Sequence, residues 1–379
     1  MRETTLPLFW GAFIVLMSLA SCDLNLNLCA PDSSGVHGQF EQIDGSVTGN
    51  RFYPAYQISS SVPQNYRWHS SRNGELIMFN GAFFQVDTLT GDAEFLQSRA
   101  YHSPVDVSPS GIHSVELQNR NGILFSSNGQ DTLTQGIIRT QISFYDIFEN
   151  NYEVVFELNA ENLADTAWKN YEFGDVQLLA DEDTFYATLR TTTSPAPGET
   201  GTARKTIRSL IRGAISDSMY TVVRAIESLN SHLIASPARN HILLTETDQI
   251  SLIETQTGSI TAMPSGYYPR WGNSNEAFAF SSLDNTLDVY DLRTADTTKI
   301  ADQAWRLGGY SLDNSGTYIL LSKPDDSIWA EEIMGTQSQL LVPAVDQRNV
   351  IHQVPFFTLN TTQIIFLRGE SWFHDGCPD

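Results

Sequence analysis

Lysine is scarce in this 379-residue chain: Lys169, Lys205, Lys299 and Lys323 are all there is among 22 basic residues, against 44 acidic ones and a formal net charge of −22. Binding to a phosphate backbone depends on clustered Lys and Arg, so nucleic acid is not an expected partner. Cysteine is rarer still, with Cys22, Cys29 and Cys377 only. After an apolar run over residues 6–19 no second long one follows, and at 41% hydrophobic residues the remainder reads as soluble and globular. Linear enzyme signatures are missing too. No G-x-S-x-G pentapeptide occurs, which removes the usual mark of an α/β-hydrolase nucleophile. The eight histidines, His37, His69, His102, His113, His232, His241, His352 and His374, form neither H-x-x-x-H nor H-E-x-x-H. No catalytic, cofactor-binding or metal-binding residue is therefore assigned, and an enzyme is the less expected outcome.

What is present begins at the amino terminus. Arg2 precedes the apolar run, which is shorter than the roughly 20 residues a permanent span needs and suits a signal-peptide core. Leu19-Ala20-Ser21-Cys22 closes it and resembles the bacterial lipobox, in which the cysteine sulfur takes a diacylglycerol before cleavage. That resemblance implies a signal peptide over residues 1–21, lipid on Cys22, and a bacterial cell-envelope location, periplasmic or surface-facing, on the inner or the outer membrane. Residues 22–38 read as a tether and 39–379 as the folded domain. With Cys22 acylated, Cys29 and Cys377 are the remaining thiols, and export places them where disulfides persist, so they are expected to pair.

The folded part carries an internal repeat. Residues 269–300 read as a polar turn, a strand, a second turn, a strand, a third turn and a last strand, with one short strand before the first turn. The same order recurs over 68–96, 231–263 and 309–341, with looser copies near 105, 176 and 356. Marking each copy by the last apolar residue of its second strand gives Phe79, Leu117, Leu189, Leu244, Phe280, Leu321 and Phe366. Four of the six intervals fit a propeller blade of about 40–50 residues, and two are too long. The expectation is an all-β fold: a seven-bladed β-propeller, six or eight blades being the alternatives, with every blade a four-stranded antiparallel meander. Residues 191–205, rich in Pro, Gly, Ser and Thr, read as a long surface loop.

The turns carry a family resemblance. SPSG at 108–111, RWGNSN at 270–275, DNSG at 313–316 and VDTLTG at 86–91 are similar to the repeat of TolB-like (WD-like) propellers, though no copy has the complete consensus. The resemblance covers roughly residues 68–368 and implies architecture, not function. Acidic turns at Asp181, Glu182, Asp183, Asp284, Asp313, Asp325 and Asp326 have oxygens that suit calcium. None has EF-hand spacing, and they read as solvated turn carboxylates. Residues 311–318 resemble a sialidase Asp-box with one extra residue. Trp68, Trp168, Trp271, Trp305, Trp329 and Trp372 are expected to fill the wedges between sheets. Together these readings give a lipid-anchored propeller that binds or scaffolds a protein, peptide or glycan. The alternative is a glycan-active lyase or hydrolase with acidic residues gathered from several blades.

Overall fold

The computed structural model describes residues 36–44, 50–52, 57–58, 68–79, 82–87, 93–98, 104–125, 132–163, 167–195, 205–228, 231–272, 275–304, 309–313, 316–344, 350–357 and 363–370. Cys22, Cys29 and Cys377 lie outside the described residues, as do the signal peptide and most of the tether. Among the described residues every regular element is a strand. The chain opens with β1 (Val36–Asp44), β2 (Asn50–Phe52) and β3 (Gln57–Ile58).

Six meanders of consecutive strands follow. The first holds β4 (Trp68–Ser70), β5 (Leu76–Phe79), β6 (Ala82–Val86) and β7 (Ala93–Ser98), and the second β8 (Pro104–Val107), β9 (His113–Phe125), β10 (Thr132–Asp146) and β11 (Tyr152–Asn159). The third has five strands: β12 (Glu161–Leu163), β13 (Ala167–Leu178), β14 (Thr184–Pro195), β15 (Lys205–Ala214) and β16 (Met219–Ile226). The fourth is β17 (Ser231–Ala235), β18 (His241–Glu246), β19 (Gln249–Glu254) and β20 (Ile260–Ala262). The fifth is β21 (Gly266–Trp271), β22 (Ala277–Ser282), β23 (Leu287–Asp291) and β24 (Asp296–Ala301). The sixth is β25 (Tyr310–Leu312), β26 (Tyr318–Ser322), β27 (Ile328–Glu332) and β28 (Ser338–Val342). Last come β29 (Val350–Phe357) and β30 (Gln363–Glu370), which join the amino-terminal strands in the order β2-β1-β30-β29, with β3 also on β1.

The fold is a β-propeller. The expectation of seven four-stranded meander blades is corrected: the meander blades are six, one of them with a fifth strand, and the remaining sheet is a composite of both chain ends. Six of the seven marker residues fall on the second or third strand of a meander, whereas Phe366 lies on β30 of the composite sheet. An apolar periodicity cannot tell a strand that continues a meander from one that pairs across the whole chain. The long intervals also resolve, because β9, β10, β13 and β14 each run to twelve residues or more. The stretch read as a loop from residue 191 is strand as far as Pro195 and again from Lys205.

Burial explains the radial packing. Alternating apolar residues on both faces of each sheet meet those of its neighbour, so separate clusters fill successive wedges. Val115, Ile142, Phe156, Phe173 and Phe185 lie between the second and third blades, and Leu179, Tyr186, Leu233, Ile242 and Leu244 between the third and fourth. Leu320, Ile328, Phe357, Ile364 and Phe366 join the sixth blade to the composite sheet. The ring closes where Trp68 of β4 stacks on Phe356 of β29 at 4.9 Å between ring centroids.

One turn is repeated in all six meander blades, between the innermost strand and the next. The amide of its fourth residue donates to the carbonyl of its first: Gly74 to Ser71, Gly111 to Ser108, Glu182 to Leu179, Arg239 to Ser236, Asn275 to Gly272 and Gly316 to Asp313. That fourth residue is left-handed throughout, with φ from 56° to 77°. Glycine adopts this conformation at no steric cost, whereas other residues lose about 1–2 kcal/mol. Where glycine is replaced, the side chain reaches another blade. Glu182 accepts from the amide of Ser110, and Asn275 Oδ1 accepts from the amide of Ala238 at 2.6 Å.

Candidate functional site

The third such replacement is Arg239. Its turn, Ser236-Pro237-Ala238-Arg239, matches Ser108-Pro109-Ser110-Gly111 two blades earlier, with arginine where glycine stands. The side chain, 3% exposed, lies among residues of the inner strands of neighbouring blades. Nη1 donates to Asp106 Oδ2 and to the carbonyl of Leu178 at 3.3 Å. Nη2 donates to Asp106 Oδ1 at 3.0 Å and to the carbonyls of Val107 at 2.6 Å and Ser70 at 3.3 Å. One guanidinium thus ties the fourth blade to the first, second and third.

Asp106 sits on β8 and is fully buried. Its Oδ1 also accepts from the amide of Val107 at 2.8 Å, and Oδ2 from that of Leu178 at 3.2 Å. His69 of β4 places Nδ1 3.4 Å from Oδ1. Burial by itself would raise the Asp106 carboxyl, but the Arg239 charge and the hydrogen bonds from His69 and Arg239 hold it below the ordinary carboxylate value. A buried charge without such partners would be strongly destabilising.

The inner strands use the same device repeatedly. Asp175 of β13 accepts from the amide of Leu233 at 3.0 Å, and Gln177 from that of Ala235 at 2.9 Å. Trp271 Nε1 donates back to the carbonyl of Ile234 at 2.8 Å, and the Tyr310 hydroxyl to that of Tyr268 at 2.6 Å. Inner strands of a propeller have no ladder between blades, so buried side chains satisfy these backbone groups instead.

Arg239 separates two cavities and is the one residue common to both linings. On the channel side lies a narrow cleft of about 60 Å³, with Trp68, His69, Trp271, Tyr310, Phe356 and Arg270 among its walls. The Arg270 guanidinium lies 5.7 Å from the Tyr310 ring centroid. Asp106 is the only carboxylate among the described residues of the lining, and it is engaged by Arg239. On the turn side lies a recess of about 520 Å³.

The residues singled out from sequence are distributed as follows. Trp68 and Trp271 line the cleft, whereas Trp329 is on an outer strand under Lys323, whose Nζ is 4.3 Å from its ring. Trp305 and Trp372 lie outside the described residues. Asp181 accepts from the amides of Asp183 and Thr184 at 3.1 and 2.8 Å, and Asp313 from those of Thr317 and Tyr318 at 2.8 and 3.0 Å. These carboxylates shape their own turns, and among the described residues no three His, Cys, Asp or Glu side chains are placed to share a metal. Of the described histidines, His69 lines the cleft. Sequence reasoning missed Asp106, Arg239 and Arg270. The available signal was the alignment of the turns, which shows arginine in a glycine position.

No protein-family profile matches the chain, and no curated protein matches it. Among solved structures it is similar to an oligogalacturonate lyase from Vibrio parahaemolyticus at 11% identity and a TM-score of 0.46, covering 89% of this chain and 98% of that one. A second oligogalacturonate lyase, in complex with manganese, has 12% identity, a TM-score of 0.46 and the same coverage. The Swd1 β-propeller domain of Myceliophteria thermophila has 13% identity and a TM-score of 0.40, over 79% of this chain and 94% of that one.

Proposed function

We propose that the chain is a binding module whose central cleft receives a small group projecting from a glycan. The observation that carries this reading is the cleft itself, walled by four aromatic rings, with the buried Arg239 in its lining. Trp68, Trp271, Tyr310 and Phe356 offer ring faces, and His69, Ser311 and Arg270 are polar side chains in the same lining. A few placed polar groups among apolar walls is the usual composition of a ligand site. The Cys22 lipid anchor belongs to the same proposal, supported by the lipobox-like sequence, and would hold the propeller at a membrane of the cell envelope. Tryptophan fluorescence during titration with defined glycans tests the cleft. A saturable change in the parent, lost in Arg270→Gln, is expected. Peptides that produce the change where glycans do not, or equal binding by the variant, would overturn it.

The enzyme alternative draws on one observation, the 3.4 Å approach of His69 Nδ1 to Asp106, which orients a potential base in the cleft. A two-carboxylate hydrolase is not favoured, because the described residues of the lining supply no second acid. Product analysis after incubation with polysaccharides separates the readings, since the binding module returns its ligand unaltered.

A further inference from the structure

The recess on the turn side lies outside the proposed glycan cleft and has a different chemistry. Its walls include Arg72 from the first blade's turn, Arg212 from β15 and Arg239 beneath them, with Asn240, Thr255 and Gln256 at the side. With twice as many acids as bases in the chain, described cations elsewhere are commonly paired: Arg139 with Glu157 at 3.4 Å, Arg293 with Glu276 at 3.1 Å, Arg190 with Glu172 and Arg224 with Glu246. Arg72 and Arg212 form no ion pair among the described residues. The one carboxylate among the described residues of the lining, Asp181, is turned into its own turn by three hydrogen bonds from Asp183 and Thr184. The Arg239 side chain, 3% exposed, also lines the recess, with its guanidinium held by Asp106.

We propose that this recess is a binding site for a small ligand carrying an oxyanion, carboxylate or phosphate, gripped by Arg72 and Arg212 over the buried Arg239. Guanidinium forks match the two oxygens of such groups, and the recess volume falls in the range of small-molecule sites, roughly 300–1,000 Å³. With the Arg239 charge offset by Asp106, Arg72 and Arg212 outnumber Asp181 in the described lining, which favours an anion. Binding should weaken as salt rises.

Isothermal titration of the folded protein at low salt, with inorganic phosphate in one arm and malonate in the other, tests this. Saturable binding of either probe is expected, weakened about tenfold in Arg72→Gln and in Arg212→Gln. Arg190→Gln, which removes a cation outside the recess, should bind as the parent does. A response to phosphate alone identifies a phosphoryl ligand, and a response to malonate alone a carboxylate. Failure of both probes to bind below about 10 mM, or unchanged binding in both recess variants, overturns the site. Neither result bears on the fluorescence response of the glycan cleft, so the two readings fail separately.

Discussion

Replacing Arg239 with alanine removes one member of a buried ion pair and leaves Asp106 charged without its main partner. Breaking such a pair from one side costs roughly 3–5 kcal/mol. The carbonyls of Ser70, Leu178 and Val107 lose a donor in the same step. For a domain with roughly 300 ordered residues the unfolding entropy is about 0.6 kcal/mol/K, so 4 kcal/mol lowers Tm by about 6 °C. Arg239→Gly removes the same groups but relieves the left-handed backbone, φ 61°. It should therefore be less damaging than alanine by about 1 kcal/mol, an ordering opposite to that at an ordinary position. Asp106→Asn added to Arg239→Ala should recover about 2 kcal/mol by removing the stranded charge. The pH profile supplies a further check. In the parent the Asp106 carboxyl is depressed. Its contribution is present above the unfolded value of about 3.9 and lost as pH falls through the lower folded value. In Arg239→Ala burial dominates and the folded value rises, so stability falls as pH rises through it. Urea unfolding of the four proteins at about pH 4.5 and about pH 7.5 reads all of this. If Arg239→Ala is within about 0.5 kcal/mol of the parent, or tolerates the left-handed position as well as glycine does, the strut reasoning is refuted.

Three other outcomes are expected. Cys22→Ser should block lipid attachment and leave unprocessed precursor; labelling by a fatty-acid analogue that persists in the variant would remove the anchor. Non-reducing peptide mapping of the exported protein should recover Cys29 linked to Cys377. His37 pairs with Glu370, so β1 begins where β30 ends on the composite sheet; alkylation of both thiols would defeat the link. At the β26–β27 turn, burial and then the Asp325 charge raise the Asp326 carboxyl to about 6. Its contribution is present below about 3.9 and lost as pH rises through about 6, so Asp326→Asn should flatten the fall in stability over that window. Unfolding curves that keep the fall in the variant would place its cause elsewhere.

Period-2 alternation and turn chemistry made the architecture legible. Residues 277–280 and 287–292 read as strands, and the strands run over Ala277–Ser282 and Leu287–Asp291. The family-like turns at 108–111 and 313–316 proved to be the repeated link between inner strands. The number of meander blades was misread because Phe366 has the apolar setting of a blade strand while its sheet is shared with residues from the other end of the chain. The site was far less visible. Asp106 lies between two valines in a short strand, and nothing local distinguishes it from a solvent-facing acid. Arg239 could have been seen, since Ser-Pro-x-Arg beside Ser-Pro-x-Gly signals an arginine held where only glycine is comfortable. That a single side chain would then reach Asp106, Val107, Leu178 and Ser70 depends on ring closure, which no window of sequence contains.

The composite sheet also sets an order of events in folding. Each meander forms from neighbouring segments, but β1 finds its partner in β30, nearly the whole chain away. Closing a loop of that length costs about 5 kcal/mol of chain entropy, and this cost falls on one step. Pairings of such sequence separation form slowly. During vectorial synthesis β1 can pair with β2 and β3 on one edge, but its other edge must wait until the last described strand has appeared, and the ring stays open meanwhile. An open ring presents strand edges that pair readily with other chains. A chain ending before Gln363 would never lose those edges, so the final residues act as a checkpoint that separates a finished propeller from an aggregation-prone arc.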